Sequence, residues 1–201
     1  MQNVVLPLFY LAPISWFAKF FNAQDCRIEQ WENFPKQTFR NRMYIYGPNG
    51  KQSLSIPIRH KGKTPYNAVE ISMAEDWKSN HWKSIRNAYQ NSPYFEFYED
   101  KLKSIYSNSY TSLLEFNSFA LRVVLKILKS EKEYNFTTDY ESESTFVDLR
   151  NSFSAKEERS RNHPEYYQTY SDKHGFLEDL SIIDLLCNLG PESVTYLKRL
   201  E

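Results

Sequence analysis

Apolar residues fill Val4, Val5, Leu6, Leu8 and Phe9 of "NVVLPLFY", interrupted only by Pro7, which is the pattern of a short strand covered on both faces, as in a parallel sheet. After Pro13 the period changes. In "ISWFAKFFN" the residues Ile14, Phe17 and Phe21 recur at helical spacing and Asn22 offers a stop; "CRIEQ" then supplies a second short strand. Strand, helix, strand is the order of a βαβ unit, whose loops gather at the carboxyl ends of its strands.

Further on, "QTFRNRMYIYGPNGKQSLSIPI" predicts two strands around a Gly-Pro-Asn-Gly turn, with Leu54, Ile56 and Ile58 alternating against Ser53, Ser55 and Pro57, and Pro57 asking for an edge position. Helices follow: one with Trp77, His81, Trp82, Ile85, Ala88 and Tyr89 on a face and a stop at Asn91-Ser92-Pro93, then "YFEFYEDKLKSIY" and "SLLEFNSFALRVVLKILK". The segments "YNFTTDY" and "EYYQTYS" read as strands separated by the polar "SAKEERSRNHPE", a loop or frayed helix end. In the closing "LSIIDLLCNLGPESVTYLKRL", Ser181 suits an N-cap with Asp184 three residues on, Gly190 a helix stop, and Pro191 the first turn of a last helix. The expected fold is α/β: a mostly parallel, Rossmann-like sheet flanked by helices, with an inserted antiparallel hairpin.

With 201 residues the chain suits one domain over 1–201. Lys+Arg 25 balances Asp+Glu 25, so no net field draws in a nucleic acid, and none is expected as a partner. The 15 Tyr, 14 Phe and 4 Trp against 5 Gly predict a core filled by rings and many hydroxyls needing partners. Cys26 and Cys187 make no disulfide framework and fit reduced thiols. The apolar start lacks a basic leader, is broken by Pro7 and Pro13 and acquires Lys19, so no signal peptide or membrane span is expected and the location expected is cytoplasmic.

Candidate chemistry begins at "KQTFRNR", three cations in seven positions. If "TFRNRMYIY" is a strand, Arg40 and Arg42 share a face and, with Lys36 just before, suit bidentate capture of phosphate or carboxylate; the plainer alternative is a solvated face neutralised by Glu29 and Glu32. Asn41 would lie on the otherwise apolar face and would need a hydrogen bond there. Lys173, His174 and Gly175 follow the predicted strand "EYYQTYS", where an α/β sheet presents its ligand, so His174 is a candidate acid or base and Lys173 a binding group, against the ordinary case of a surface-loop histidine. Asp184 is either a helix cap or a site group. The chain has no P-loop, no GxGxxG after the first strand and no GxSxG elbow. His60, His81, His163 and His174 are scattered without ligand spacing, so no metal site is expected, and the residues name no cofactor.

Four blocks in order, "EQWENFPKQTFRNR", "GPNGKQSLSIPI", "HWKSIRNAYQNSPYFEFYED" and "DKHGFLEDLSIIDLLCNLGPES", resemble the WbqC-like protein family in the form common in Bacteroidetes. The resemblance implies a role among enzymes of O-antigen and other surface polysaccharides, with transfer of an acyl or similar group to a sugar. The family's usual opening, His-Gln-Pro-Asn-Tyr-Leu-Pro-Trp, is similar to the strand-loop-helix of adenylyl-transferring enzymes. Here "PLFYLAPISW" keeps Tyr10, Pro13 and Trp16 but has an apolar residue in place of the histidine. The expectation is a transferase acting on a phosphate-bearing donor and a sugar acceptor, with Lys36, Arg40, Arg42 and Lys173 on the anion, Asn41 and Asp184 positioning hydroxyls, His174 moving a proton and Tyr10 lining the pocket. The alternative is a non-catalytic carbohydrate- or partner-binding protein on the same scaffold.

Overall fold

In the computed structural model, which describes residues 1–59, 62–140, 145–155 and 162–200, the N-terminal apolar run forms strand β1 (Val4–Pro7). Helix α1 (Ile14–Asn22) returns the chain to strand β2 (Cys26–Glu29), which pairs parallel to β1 with Val4 opposite Cys26 and Pro7 opposite Glu29. The helix is anchored by its aromatics. Trp16 is fully buried, donates Nε1–H to the Pro7 carbonyl at 2.8 Å and stacks on Phe20 with 5.2 Å between centroids. Strand β5 (Asn135–Phe136) joins the outer side of β2 and β6 (Val147–Asp148) the outer side of β1, giving the order β5-β2-β1-β6 with every pairing parallel. Together with the flanking helices and a separate hairpin, this is the α/β class expected.

The hairpin consists of β3 (Arg42–Gly47) and β4 (Gly50–Ser55), closed where Gly47 faces Gly50, whose φ of 97° suits glycine. Leu54 and Ile56 are buried while Ser53 and Ser55 are exposed, as the alternation requires. The first strand starts at Arg42, however, and not at Thr38. Residues 37–41 form a turn with Gln37 at φ 51°, tied down by a hydrogen bond from Tyr10 N to the Phe39 carbonyl at 2.9 Å, so Arg40 and Arg42 do not share a strand face.

Helices α2 (Trp77–Tyr89), α3 (Phe95–Ser107) and α4 (Leu113–Ile127) follow the predicted periods. Asp76 and Ser112 cap α2 and α4 by accepting from the Ser79 and Glu115 amides. "YNFTTDY" contributes only the two residues of β5, and β6 has no counterpart among the predicted elements. "EYYQTYS" is not a strand. Its Gln168 side chain ties the segment to the residues that follow, donating to the Leu177 carbonyl and accepting from the Leu177 amide, both at 2.9 Å. The chain then makes the one-turn helix α5 (Ser171–His174), so Lys173 and His174 end a helix rather than follow a strand. Much of "SAKEERSRNHPE", like His60, lies outside the described residues.

Ser181 caps α6 (Ile182–Leu189), accepting from the Ile183 amide while donating to the Leu11 carbonyl at 2.7 Å. Gly190 stops α6 at φ 54°, and a Cβ there would run into the Tyr94 ring. A 3-10 turn containing Pro191 leads into α7 (Ser193–Arg199), and α1 packs against α6 and α7. Among the described residues no helix is long and apolar enough to cross a membrane.

Candidate functional site

Open parallel sheets bind ligands beyond the carboxyl ends of their strands, because the loops diverge there and leave backbone groups without ladder partners. At that edge β2 ends on Glu29, which is completely buried. Its Oε1 accepts from the Trp31 amide at 2.6 Å and the Thr137 hydroxyl at 3.2 Å, and its Oε2 accepts from Arg150 Nη1 at 3.2 Å. Thr137 follows β5 and Arg150 lies just past β6, so three strands of the one sheet deliver these groups to one place. Arg150 also grips Asp148 through Nε at 2.8 Å and Nη2 at 2.7 Å, which holds the Asp148 carboxyl below its ordinary range.

A second pair, of buried Arg40 and half-buried Glu32, adjoins the first. Arg40, 3% exposed, donates Nε–H to Glu32 Oε1 at 3.0 Å, a second bond from Nη2 to the same oxygen, and Nη1–H to the Thr38 hydroxyl at 2.7 Å. Burial pushes the Glu32 carboxyl up, Arg40 pulls it back, and Glu29 and Arg150 are close enough to raise and lower it further. Two carboxylates and two guanidinium groups therefore form one electrostatic cluster. Below it, Asn117 donates Nδ2–H to the Arg40 carbonyl at 2.6 Å and to the Tyr66 hydroxyl at 2.7 Å, while its buried Oδ1 has no hydrogen-bond partner. That orphaned acceptor is the kind of group that stays unpaired in a core only at a cost of about 1–3 kcal/mol.

Of the residues the sequence singles out, Arg40 stands inside this cluster, with Lys36 exposed on the turn leading to it. Asn41 and Arg42 follow directly: Asn41 Nδ2 donates to the Ile56 carbonyl at 3.0 Å, giving the amide the bond it needs, and Arg42 Nε donates to the Ser55 hydroxyl at 3.2 Å. Lys173 Nζ and His174 Nε2 lie 3.1 and 3.0 Å from the Pro48 carbonyl at the hairpin turn. That turn is the far end of β3 from Arg42, about 17 Å along the strand. Tyr10 is fully buried, its hydroxyl 2.9 Å from His81 Nδ1 and 2.6 Å from the Tyr106 hydroxyl. Asp184 is fully buried elsewhere, accepting from the Tyr166 hydroxyl at 2.5 Å and from Gln168 Nε2 at 2.9 Å; it does not act as the helix cap, and burial raises its carboxyl to about 6. The fold thus gathers Lys36, Arg40, Asn41 and Arg42 and leaves Lys173, His174 and Asp184 apart from them, while Tyr10 touches this turn through its backbone amide and directs its hydroxyl away to His81 and Tyr106.

Sequence reasoning missed Trp31, Asn117, Asp148 and Arg150, and gave Glu29 and Glu32 only a neutralising part. "EQWE" was detectable as the segment leaving a βαβ strand at its carboxyl end; Arg150 carried no such signal, since β6 is two residues long. Among the described residues no group of three or more His, Cys, Asp or Glu side chains is placed to hold a metal ion.

The chain matches the WbqC-like protein family over residues 9–161, a span that includes the turn of Arg40, the Glu29 strand end and Arg150. It is also 24% identical over 193 residues to the uncharacterised protein Rv1507c of Mycobacterium tuberculosis, covering 82% of this chain and 84% of that one. No solved structure matches it. Since the family match takes in most of the chain, including both ion pairs, the protein belongs to the WbqC-like protein family.

Proposed function

We propose that the protein is a transferase of surface-polysaccharide assembly, which moves a group from a phosphate-bearing donor to a sugar held at the carboxyl edge of its parallel sheet. The observation that carries this reading is the cluster of Glu29, Glu32, Arg40 and Arg150, assembled from β2, β6 and the turn before the hairpin at the position where such sheets take ligands. Both guanidinium groups are already paired, so they fix the shape and charge of the edge. Lys36 and Arg42, at the start of the hairpin, are the cations offered to the donor's phosphate. Glu32, whose carboxyl burial pushes up, is suited to take a proton from the acceptor hydroxyl. His174, bonded to Pro48 at the other end of the hairpin, has no part in this scheme. Family membership supports the polysaccharide context, and phosphate-linked group transfer needs chiefly charge stabilisation and positioning.

A thermal-shift screen of nucleotides, nucleotide-sugars and free oligosaccharides tests the proposal, since a ligand that binds the native state raises the melting temperature. Nucleotide-sugars should stabilise the protein most. The double variant Lys36→Ala/Arg42→Ala should bind them roughly 10- to 100-fold more weakly, the loss expected for one or two charge-assisted hydrogen bonds. If the variant binds as well as the parent, the phosphate is held elsewhere. The alternative of a carbohydrate-binding protein without turnover is favoured by one observation, the mutual neutralisation of Arg40 and Arg150 by carboxylates. It predicts stabilisation by phosphate-free saccharides alone and no product from a donor and acceptor mixture.

A further inference from the structure

Single exposed aromatic side chains need no explanation, but several on one part of the surface mark a place that a ligand can cover. Two of the exposed ones belong to the same corner of the molecule. Trp31 follows the end of β2 and is 41% exposed; Tyr140 follows β5 and is 56% exposed. They are linked through the buried cluster: the Trp31 amide donates to Glu29, Glu29 accepts from Arg150, and the Arg150 guanidinium lies 4.7 Å from the centre of the Tyr140 ring. Neither ring is loose. Trp31 Nε1 donates to the Thr137 carbonyl at 2.9 Å, which fixes the indole against the sheet end, and Tyr140 is held by the cation beside it.

Among the described residues, two exposed charges at this corner are negative. Asp139 is exposed, and the Asp148 side chain is 43% exposed while Arg150 keeps it ionised; the Arg150 side chain itself is 6% exposed. A phosphate or carboxylate arriving here would meet two carboxylates before any cation, and like charges disfavour that approach. A neutral polyhydroxyl ring would meet flat, pre-fixed aromatic faces for its C–H surface and ionised carboxylate oxygens that accept from its hydroxyls.

We infer that Trp31 and Tyr140, with Asp139 and Asp148 beside them, form the subsite for an uncharged sugar ring of the acceptor. The inference rests on the proposed function for its location and adds the ligand's charge class and the residues that hold it. The donor's phosphate is then left to Lys36 and Arg42, which separates the two substrates by charge.

The test is calorimetric titration of the full-length protein with a panel of neutral oligosaccharides, the same oligosaccharides carrying a uronate, and nucleotide-sugars. The parent protein should bind a neutral oligosaccharide, and its uronate form less well. Trp31→Ala should weaken the neutral sugar about 10-fold, as for loss of one aromatic contact, with Trp31→Phe in between. Asp139→Asn should narrow the gap between neutral and uronate sugars. All three variants alter exposed side chains, and unfolding curves matching the parent check that they fold. The inference is overturned if Trp31→Ala binds the neutral sugar as the parent does, or if the uronate form binds better. Binding of nucleotide-sugars with no binding of any free saccharide also overturns it while leaving the proposed function standing. Binding of no carbohydrate of any kind removes both.

Discussion

Replacing Arg150 with methionine should lower the unfolding free energy by about 3–5 kcal/mol, the loss typical of breaking a buried ion pair from one side. Glu29 is completely buried, and its remaining contacts are the Trp31 amide and the Thr137 hydroxyl, which stabilise a carboxylate but do not neutralise it. Methionine fills much of the arginine's volume, so the loss measured is chiefly electrostatic and not that of a cavity. Two escapes are open to the variant: Glu29 takes up a proton, or the end of β2 shifts to let water in. Both alter the edge on which the proposed site depends. Adding Glu29→Gln should restore part of the stability, because a neutral amide keeps its carbonyl oxygen on the Trp31 amide and the Thr137 hydroxyl and no lone charge stays buried. Urea denaturation of the two single variants and the double variant gives the coupling energy. A value below about 0.5 kcal/mol would mean that the pair shapes the edge without holding it.

That pair also shows where the sequence stops being informative. The βαβ start, the hairpin turn and helices α2, α3 and α4 were legible because each is written locally, in a period, a cap or a turn residue. Arg150 and Glu29 are 121 positions apart and meet only because β6 pairs with β1, a contact of two residues too short to leave a pattern. Arg40 illustrates a different failure. Three cations in seven positions suggested a single charged face, but the turn at residues 37–41 directs Arg40 inward to Glu32, eight positions away, and only Lys36 and Arg42 keep their cationic groups accessible. "EYYQTYS" misled because alternating aromatics look like a strand, whereas the segment stays outside the sheet and is tied to the Leu177 backbone through the Gln168 side chain. For the same reason His174 reached the hairpin turn and not the ligand-binding edge.

Two buried titratable groups outside the candidate site should contribute nearly cancelling slopes to the stability between about pH 4 and 6.5, and single substitutions should tilt it in opposite directions. Burial raises the Asp184 carboxyl from 3.8 to about 6, against the pull of hydrogen bonds from Tyr166 and Gln168. Between those two values the unfolded chain has released the proton and the native state keeps it, so this group's contribution is full below pH 3.8 and is lost as pH rises through 6. Burial lowers the His81 imidazole from 6.5 to about 4, partly offset by a bond to the Ser55 carbonyl. Here the unfolded chain takes up the proton first, so the contribution is full above pH 6.5 and is lost as pH falls through 4. Each shift of a little over two units corresponds to about 3 kcal/mol, and the two nearly cancel. Asp184→Asn leaves the histidine slope alone, so its stability should fall by about 3 kcal/mol relative to the parent between pH 6.5 and 4. His81→Gln leaves the aspartate slope and should gain by a similar amount over the same interval. The slope is the quantity to compare, because lost hydrogen bonds to Tyr10 or Tyr166 displace each curve without tilting it. Denaturant unfolding of the parent and both variants at half-unit pH steps provides it, and three parallel curves would show that neither buried group changes its protonation on unfolding.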